Sequence, residues 1–234
     1  VALANGRFPA SSAVIFDPHD AKTMYVRVTF GLLATRDGGA SWRWICESAI
    51  GFSGIEDPTY VVTPKGTLVA ATYSGVAVSR DRGCTFGFAG GAGPTAAERE
   101  KRHRRMGGGH HGPGKPRVLS DLTMRPDGEI VGVMSVFSKV KRTGTSYDNR
   151  LVVSKDDAET FEDLGGEIDA SLLIESVEIA DTDPDRIYIT ALRGEGDARR
   201  AVFLTSSNKG LSWSEIDLGL VKGETGAFIA RVDP

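Results

Sequence analysis

Thr35-Arg36-Asp37-Gly38-Gly39-Ala40-Ser41-Trp42 decides the fold, because the same pattern returns three more times along the chain. Ser79-Arg80-Asp81-Arg82-Gly83-Cys84-Thr85-Phe86 keeps every key chemical type. Ser154-Lys155-Asp156-Asp157-Ala158-Glu159-Thr160-Phe161 and Ser206-Ser207-Asn208-Lys209-Gly210-Leu211-Ser212-Trp213 are degenerate copies. A short apolar run precedes each one: Leu32-Leu33-Ala34, Val76-Ala77-Val78, Leu151-Val152-Val153 and Val202-Phe203-Leu204. In such a stretch the Asp or Asn side chain accepts hydrogen bonds from nearby backbone N–H groups, and Gly supplies the positive φ that closes the turn. The hydroxyl next to last adds a local bond, and the final aromatic begins the returning strand and packs inward. Each copy therefore reads as a self-capped hairpin corner. The residues that build them are Thr35, Asp37, Gly39 and Trp42; Ser79, Asp81, Gly83 and Phe86; Ser154, Asp156 and Phe161; and Ser206, Asn208, Gly210 and Trp213. Ala158 stands where Gly is expected, so the third corner should be strained or differently shaped. Asn208 keeps an acceptor without the charge.

Working outward, the segment ahead of each corner repeats as well. Ala13-Val14-Ile15-Phe16 leads through Asp17-Pro18-His19-Asp20 to Met24-Tyr25-Val26-Arg27-Val28, and similar pairs of strands flank Pro64, Pro126 and Pro184. Pro and its polar neighbours mark turns, since Pro is excluded from strand interiors. Each unit thus carries four strands, over roughly 11–48, 58–90, 118–165 and 174–218. Successive corner Asp/Asn positions lie 44, 75 and 52 residues apart, and the long gap contains a basic, Gly/His-rich insertion at 93–117. Periods of this size, with four strands each, predict an all-β class and a β-propeller of four-stranded antiparallel blades. Residues 226–234 repeat the opening of a blade. The expectation is four blades plus the first strand of a fifth, taken from a ring of six or seven.

The corners resemble the Asp-box, or BNR repeat, of sialidase-like propellers, sortilin-type receptors, some endoglucanases and proteins similar to photosystem II assembly factors. The resemblance covers nearly the whole chain. It implies that the corner carboxylates are structural, because in that family the box lies away from any active site. It also implies that ligands bind on the opposite face, which holds the loops between strands two and three and the connections between blades. Gly6-Arg7-Phe8-Pro9 is similar to the element that places a carboxylate-binding Arg ahead of the first sialidase blade. Bidentate Arg recognition of a carboxylate is sound chemistry. The sialidase nucleophile pair, by that resemblance, comes from later blades.

On the loop face fall Lys139, Lys141 and Arg142, then Arg193, Arg199 and Arg200, and the insertion with its seven Lys or Arg against two Glu. With Arg7 these six form the candidate set for an anionic ligand, whether a glycan, a phosphate or an acidic protein surface. Glu56, Asp57, Glu167 and Asp169 sit on connections between blades, but nothing in the sequence pairs them at a glycosidase separation. His103, His110 and His111 lack Cys or carboxylate partners, so no metal and no cofactor is expected. Cys46 and Cys84 fit one disulfide or two thiols. A net charge of −3 gives no case for nucleic acid, and no apolar run reaches membrane-span length. The reading is a catalytically silent binding or scaffolding module, outside the cell or in its envelope. The alternatives are an incomplete sialidase-like or other Asp-box glycoside hydrolase and an assembly factor for a membrane complex.

Overall fold

The computed structural model describes residues 8–53, 55–90, 118–141, 144–221, 223–229 and 232. The chain is an all-β propeller of four antiparallel four-stranded blades. Blade 1 holds β1 (Ser11–Phe16), β2 (Met24–Val28), β3 (Gly31–Thr35) and β4 (Arg43–Cys46). Blade 2 holds β5 (Tyr60–Val62), β6 (Leu68–Thr72), β7 (Gly75–Ser79) and β8 (Gly87–Phe88). Blade 3 holds β9 (Asp121–Met124), β10 (Ile130–Lys141), β11 (Gly144–Ser154) and β12 (Glu162–Leu164). Blade 4 holds β13 (Leu172–Ala180), β14 (Asp183–Arg193), β15 (Arg200–Ser206) and β16 (Ser214–Asp217). Among the described residues, helix is confined to the one-turn α1 (Glu47–Ile50) and a single 3-10 turn at Gly196–Ala198. Strands run in sequence order across every sheet, so each connection is a hairpin.

The core is partitioned between blades, because both faces of a middle blade are covered. Alternate residues of one strand therefore join different clusters. Leu68 and Ala70 pack with Tyr25, Leu32 and Ile45 of blade 1, whereas Val69 and Ala71 pack with Leu122, Ile130 and Val152 of blade 3. Val131, Val133, Leu151 and Val153 turn the other way, onto Val177, Ile187, Ile189 and Leu204 of blade 4. This explains why β6 and β7 are continuous apolar runs, buried throughout, instead of alternating.

All four corners close with one set of hydrogen bonds. In the second, Ser79 Oγ donates to Asp81 Oδ1 at 2.8 Å and accepts the Gly83 N–H at 2.7 Å. The Thr85 N–H and hydroxyl then donate to the two carboxylate oxygens at 2.8 and 2.7 Å. Thr35, Asp37, Gly39 and Ser41 repeat the arrangement. The third corner has the expected strain but not a different shape. Ala158 sits at φ 65°, yet its N–H reaches Ser154 Oγ at 3.0 Å, and Thr160 caps Asp156 as in the other corners. Its methyl is fully buried between blades 2 and 3, which offsets the cost of a left-handed backbone. In the fourth corner Asn208 Oδ1 accepts from Ser206 and Ser212. The direction of the last bond reverses there, since Asn208 Nδ2 donates to Ser212 Oγ at 2.9 Å.

One expectation about the corners is corrected. Phe86, Phe161 and Trp213 pack against the cluster shared with the preceding blade, but Trp42 is 45% exposed. No preceding blade lies against it among the described residues. Its ring covers Gly39 beside Met24, and its Nε1 donates to Gly39 O at 3.1 Å.

At the far end, residues 226–229 form no strand. They run beside β13, where the Ile229 N–H lies 3.3 Å from Ser176 Oγ. The insertion at 93–117, with its histidines, lies outside the described residues.

Candidate functional site

The corners fix the polarity of the disc, leaving the loops between second and third strands on the opposite face. There β10 and β11 outgrow their sheet. They remain paired as far as Lys141 and Gly144, while β9 pairs only with residues 130–133 of β10. The resulting two-stranded arm is anchored at its root. Asn149 Nδ2 donates to Asp169 O and Leu172 O, both at 2.8 Å, and Ser135 Oγ donates to Asn149 Oδ1 at 2.8 Å. The tip leans onto blade 4, where the Thr145 N–H and hydroxyl both donate to Glu195 Oε1.

A cleft of about 380 Å³ opens between the arm and blade 4. Thr145 and Tyr147 of the arm line it from one side, and Ser171, Arg193, Glu195 and Arg199 line it from blade 4. Arg193 is committed to the fold. Its Nε and Nη2 form a bidentate pair with Glu215 at 3.1 and 2.6 Å, and Nη1 meets Asp169 at 2.9 Å and Ser171 Oγ at 2.7 Å. The Glu215 contact, followed by that to Asp169, raises its pKa. Arg199 lines the same cleft and is exposed, in the field of Glu195 and Glu175. The Glu195 carboxyl is held below its usual range by the two Thr145 bonds. Glu175 is pushed up by burial, and its Oε2 has no hydrogen-bond partner.

Of the seven basic residues expected to gather around an anion, the structure therefore brings Arg193 and Arg199 together. Arg200 sits at the start of β15, paired with Asp217 at 3.4 Å, and Lys139 is exposed on the arm. Arg7, Arg142 and the Lys141 side chain lie outside the described residues. Cys46 and Cys84 are free thiols. Cys46 contacts Ser48 Oγ at 3.3 Å, whereas Cys84 receives Arg43 and Arg36 at 3.4 and 3.6 Å, so each sulfur has its own setting and no bridge joins them. The two guanidinium contacts, Arg43 first, lower the Cys84 pKa.

A second feature of this face is Glu56, on the connection between blades 1 and 2. Burial pushes its carboxyl up to about 7, against the opposing effect of the Tyr73 N–H, which donates to Oε2 at 2.9 Å. Nearby, the buried Tyr60 hydroxyl has no hydrogen-bond partner. Asp121, at the start of β9, is also raised by burial, although it accepts the Val177 N–H at 2.9 Å and so ties two inner strands together. Sequence reasoning placed Glu56 on a connection but carried no sign of this desolvation. Among the described residues, no group of three or more His, Cys, Asp or Glu is placed to hold a metal ion. No helix among them is long and apolar enough to cross a membrane.

No protein-family model matches the chain, and no curated protein matches it in sequence. Its fold is similar to that of solved structures. A GH74 enzyme of Niastella koreensis superposes with a TM-score of 0.54 at 17% identity, over 88% of this chain and 30% of that one. A protein of unknown function from Dyadobacter fermentans gives 0.56 at 14% identity, over 93% and 71%. The GH74 xyloglucanase of Xanthomonas campestris gives 0.50 at 14%, over 88% and 29%. The chain thus spans less than a third of the length of either GH74 protein. At these identities the likeness is one of fold.

Proposed function

We propose that this chain is a binding module of an extracellular or cell-envelope Asp-box propeller, and that it takes a polar ligand of the glycan type in the cleft between blades 3 and 4. The observation that carries the reading is the arm. A two-stranded ribbon extended well past its own sheet and pinned to the neighbouring blade by Asn149 and Thr145 builds a walled recess. The corner carboxylates, by contrast, are saturated by their own loops. The recess offers an aromatic ring at Tyr147, hydroxyls at Thr145 and Ser171, and one exposed guanidinium at Arg199. Such a mixture suits a sugar, whose ring face packs on an aromatic while its hydroxyls or an acidic substituent meet polar groups. With Arg193 bound to Glu215 and Asp169, anion recognition falls to Arg199.

Calorimetric titration of acidic and neutral oligosaccharides tests this. Binding should weaken in Tyr147→Ala and Arg199→Ala, and preference for the acidic sugar should vanish in the second. Binding that ignores both substitutions would place the ligand elsewhere.

A second reading, glycoside hydrolysis, has one specific observation in its favour. A carboxyl on the loop face held up to about 7 keeps a substantial protonated fraction near neutrality, as a general acid must. Turnover of an oligosaccharide by the purified chain, lost in Glu56→Gln, would establish that activity and displace the non-catalytic reading.

A further inference from the structure

One face of the arm is turned to blade 4, and strand register says which residues lie on it. Val133 opposite Leu151, Ser135 opposite Asn149 and Phe137 opposite Tyr147 follow one another along the ribbon, at the two-residue interval that keeps side chains on one face. The first pair is buried in the cluster shared with blade 4. The second is spent on anchoring, because Ser135 Oγ accepts the Ile174 N–H at 3.0 Å and Asn149 holds two carbonyls of the connection to blade 4. At the tip, Thr145 is spent on Glu195. Phe137 and Tyr147 are what the row leaves uncommitted.

Tyr147 lines the cleft, and its hydroxyl stands in the fields of Glu195 and Arg199. Phe137 lies directly across the ribbon from it and is 40% exposed, on the strand nearer the inner one. Opposed side chains of antiparallel strands leave the backbone about 5 Å apart, so the two rings are neighbours on one surface. Neither is stacked on another ring among the described residues. A single exposed aromatic would need no explanation. Two on one face, one of them lining a recess of about 380 Å³, make a continuous platform. Blade 3 packs against blade 2 on one side and blade 4 on the other, so it is the projection of the arm past its own sheet that exposes Phe137. The register breaks just after it, between Phe137 and Lys139, and bulges of this kind re-aim side chains. Past the break Lys139 stands opposite Ser146, on the other face from Tyr147.

We propose that Phe137 is a second sugar position continuous with the cleft, so that the module takes an oligosaccharide of at least two rings laid across the arm. An acidic residue sits over Tyr147 beside Arg199, and a neutral one sits over Phe137. This rests on the reading of the cleft as a glycan site. The apolar face of a pyranose packs on an aromatic ring, so rings side by side accept consecutive sugars of an extended chain. The division of charge follows from the side chains, since Arg199 lines the cleft while Lys139 stands on the opposite face of the arm.

Calorimetric titration of the 234-residue chain with glucuronic acid, and with the disaccharide in which it is β-1,4-linked to glucose, tests this. Affinity should rise at least about tenfold from the single sugar to the disaccharide. Phe137→Ala should lower disaccharide affinity to about that of glucuronic acid, and Phe137→Tyr should keep the rise. Phe137 belongs to none of the buried clusters, so neither substitution removes a core contact. Tyr147→Ala, by contrast, should weaken both sugars. Equal affinity for the two sugars overturns the second position and leaves the reading of the cleft standing, as does a rise that survives Phe137→Ala. Failure of both sugars to bind overturns the second position and the reading together.

Discussion

Asp37 and Glu56 are both carboxylates on the turns that join strands, one on each face of the disc, and their surroundings drive them in opposite directions. Asp37 is held down at about 2, chiefly by the Ser41 hydroxyl and N–H and then by the Thr35 hydroxyl. Glu56 is pushed up to about 7 by burial. The corner answers its charge with donors drawn from within eight residues, so the group belongs to the architecture. The loop-face carboxyl is buried by tertiary packing with less compensation, which is the state in which a side chain retains chemistry.

The largest effect should come from removing the Glu56 charge. Its folded pKa lies above the unfolded value of 4.5, so the native protein holds that proton longer than the unfolded chain, and stability falls as pH rises from 4.5 to about 7. The loss is at most about 3 kcal/mol. Glu56→Gln should flatten this part of a melting-temperature profile, and a variant that declines in parallel with the native chain would assign the slope to another group. The corner Asp residues behave oppositely, because their pKa values are depressed. Their contribution is complete above the unfolded value and is lost as pH falls toward that of the folded state, about 2 for Asp37.

Ser79→Ala probes the other side of the comparison. Ser79 is fully buried, and its loss leaves the Gly83 N–H without an acceptor. Urea unfolding should show a loss of about 2 kcal/mol. Unchanged stability would mean that the corner circuit is ornamental. Arg193→Met should cost less, about 1 kcal/mol, because the ion pairs it breaks are partly solvated. Glycan affinity should also fall as the cleft wall loosens, and calorimetry on the same variant reads that loss. The smallest change is expected for Ala158→Gly. Relief of the left-handed φ and removal of a buried methyl oppose each other, leaving a difference within about 1 kcal/mol by urea unfolding.

Sequence reading reached the fold because the corners are local. Ser79, Asp81, Gly83 and Thr85 satisfy one another within seven residues, so composition and spacing carry the whole interaction. Even Ala158 keeps its bond to Ser154, since the hydroxyl and not the glycine sets the loop. The candidate site was legible only in part. Arg193 and Arg199 could be placed on the loop face from topology. That Arg193 is held by Glu215 depends on its side chain reaching from β14 past β15 to β16, and that Thr145 meets Glu195 depends on the length and lean of the arm. The inward packing expected of Trp42 failed for a similar reason, because a corner aromatic is buried by the blade before it and not by its own loop.

The sharing of each blade's residues between two clusters has a consequence for how the molecule opens. No middle blade owns a core that could survive alone, so loosening one withdraws a wall from both neighbours. Amide protons of β6 and β7, walled on both sides, should therefore be the last to exchange with heavy water, while those of β1 and β16 exchange first. Within the four blades described, opening would spread inward from blades 1 and 4 in a graded sequence, leaving blades 2 and 3 firm and the outer pair compliant.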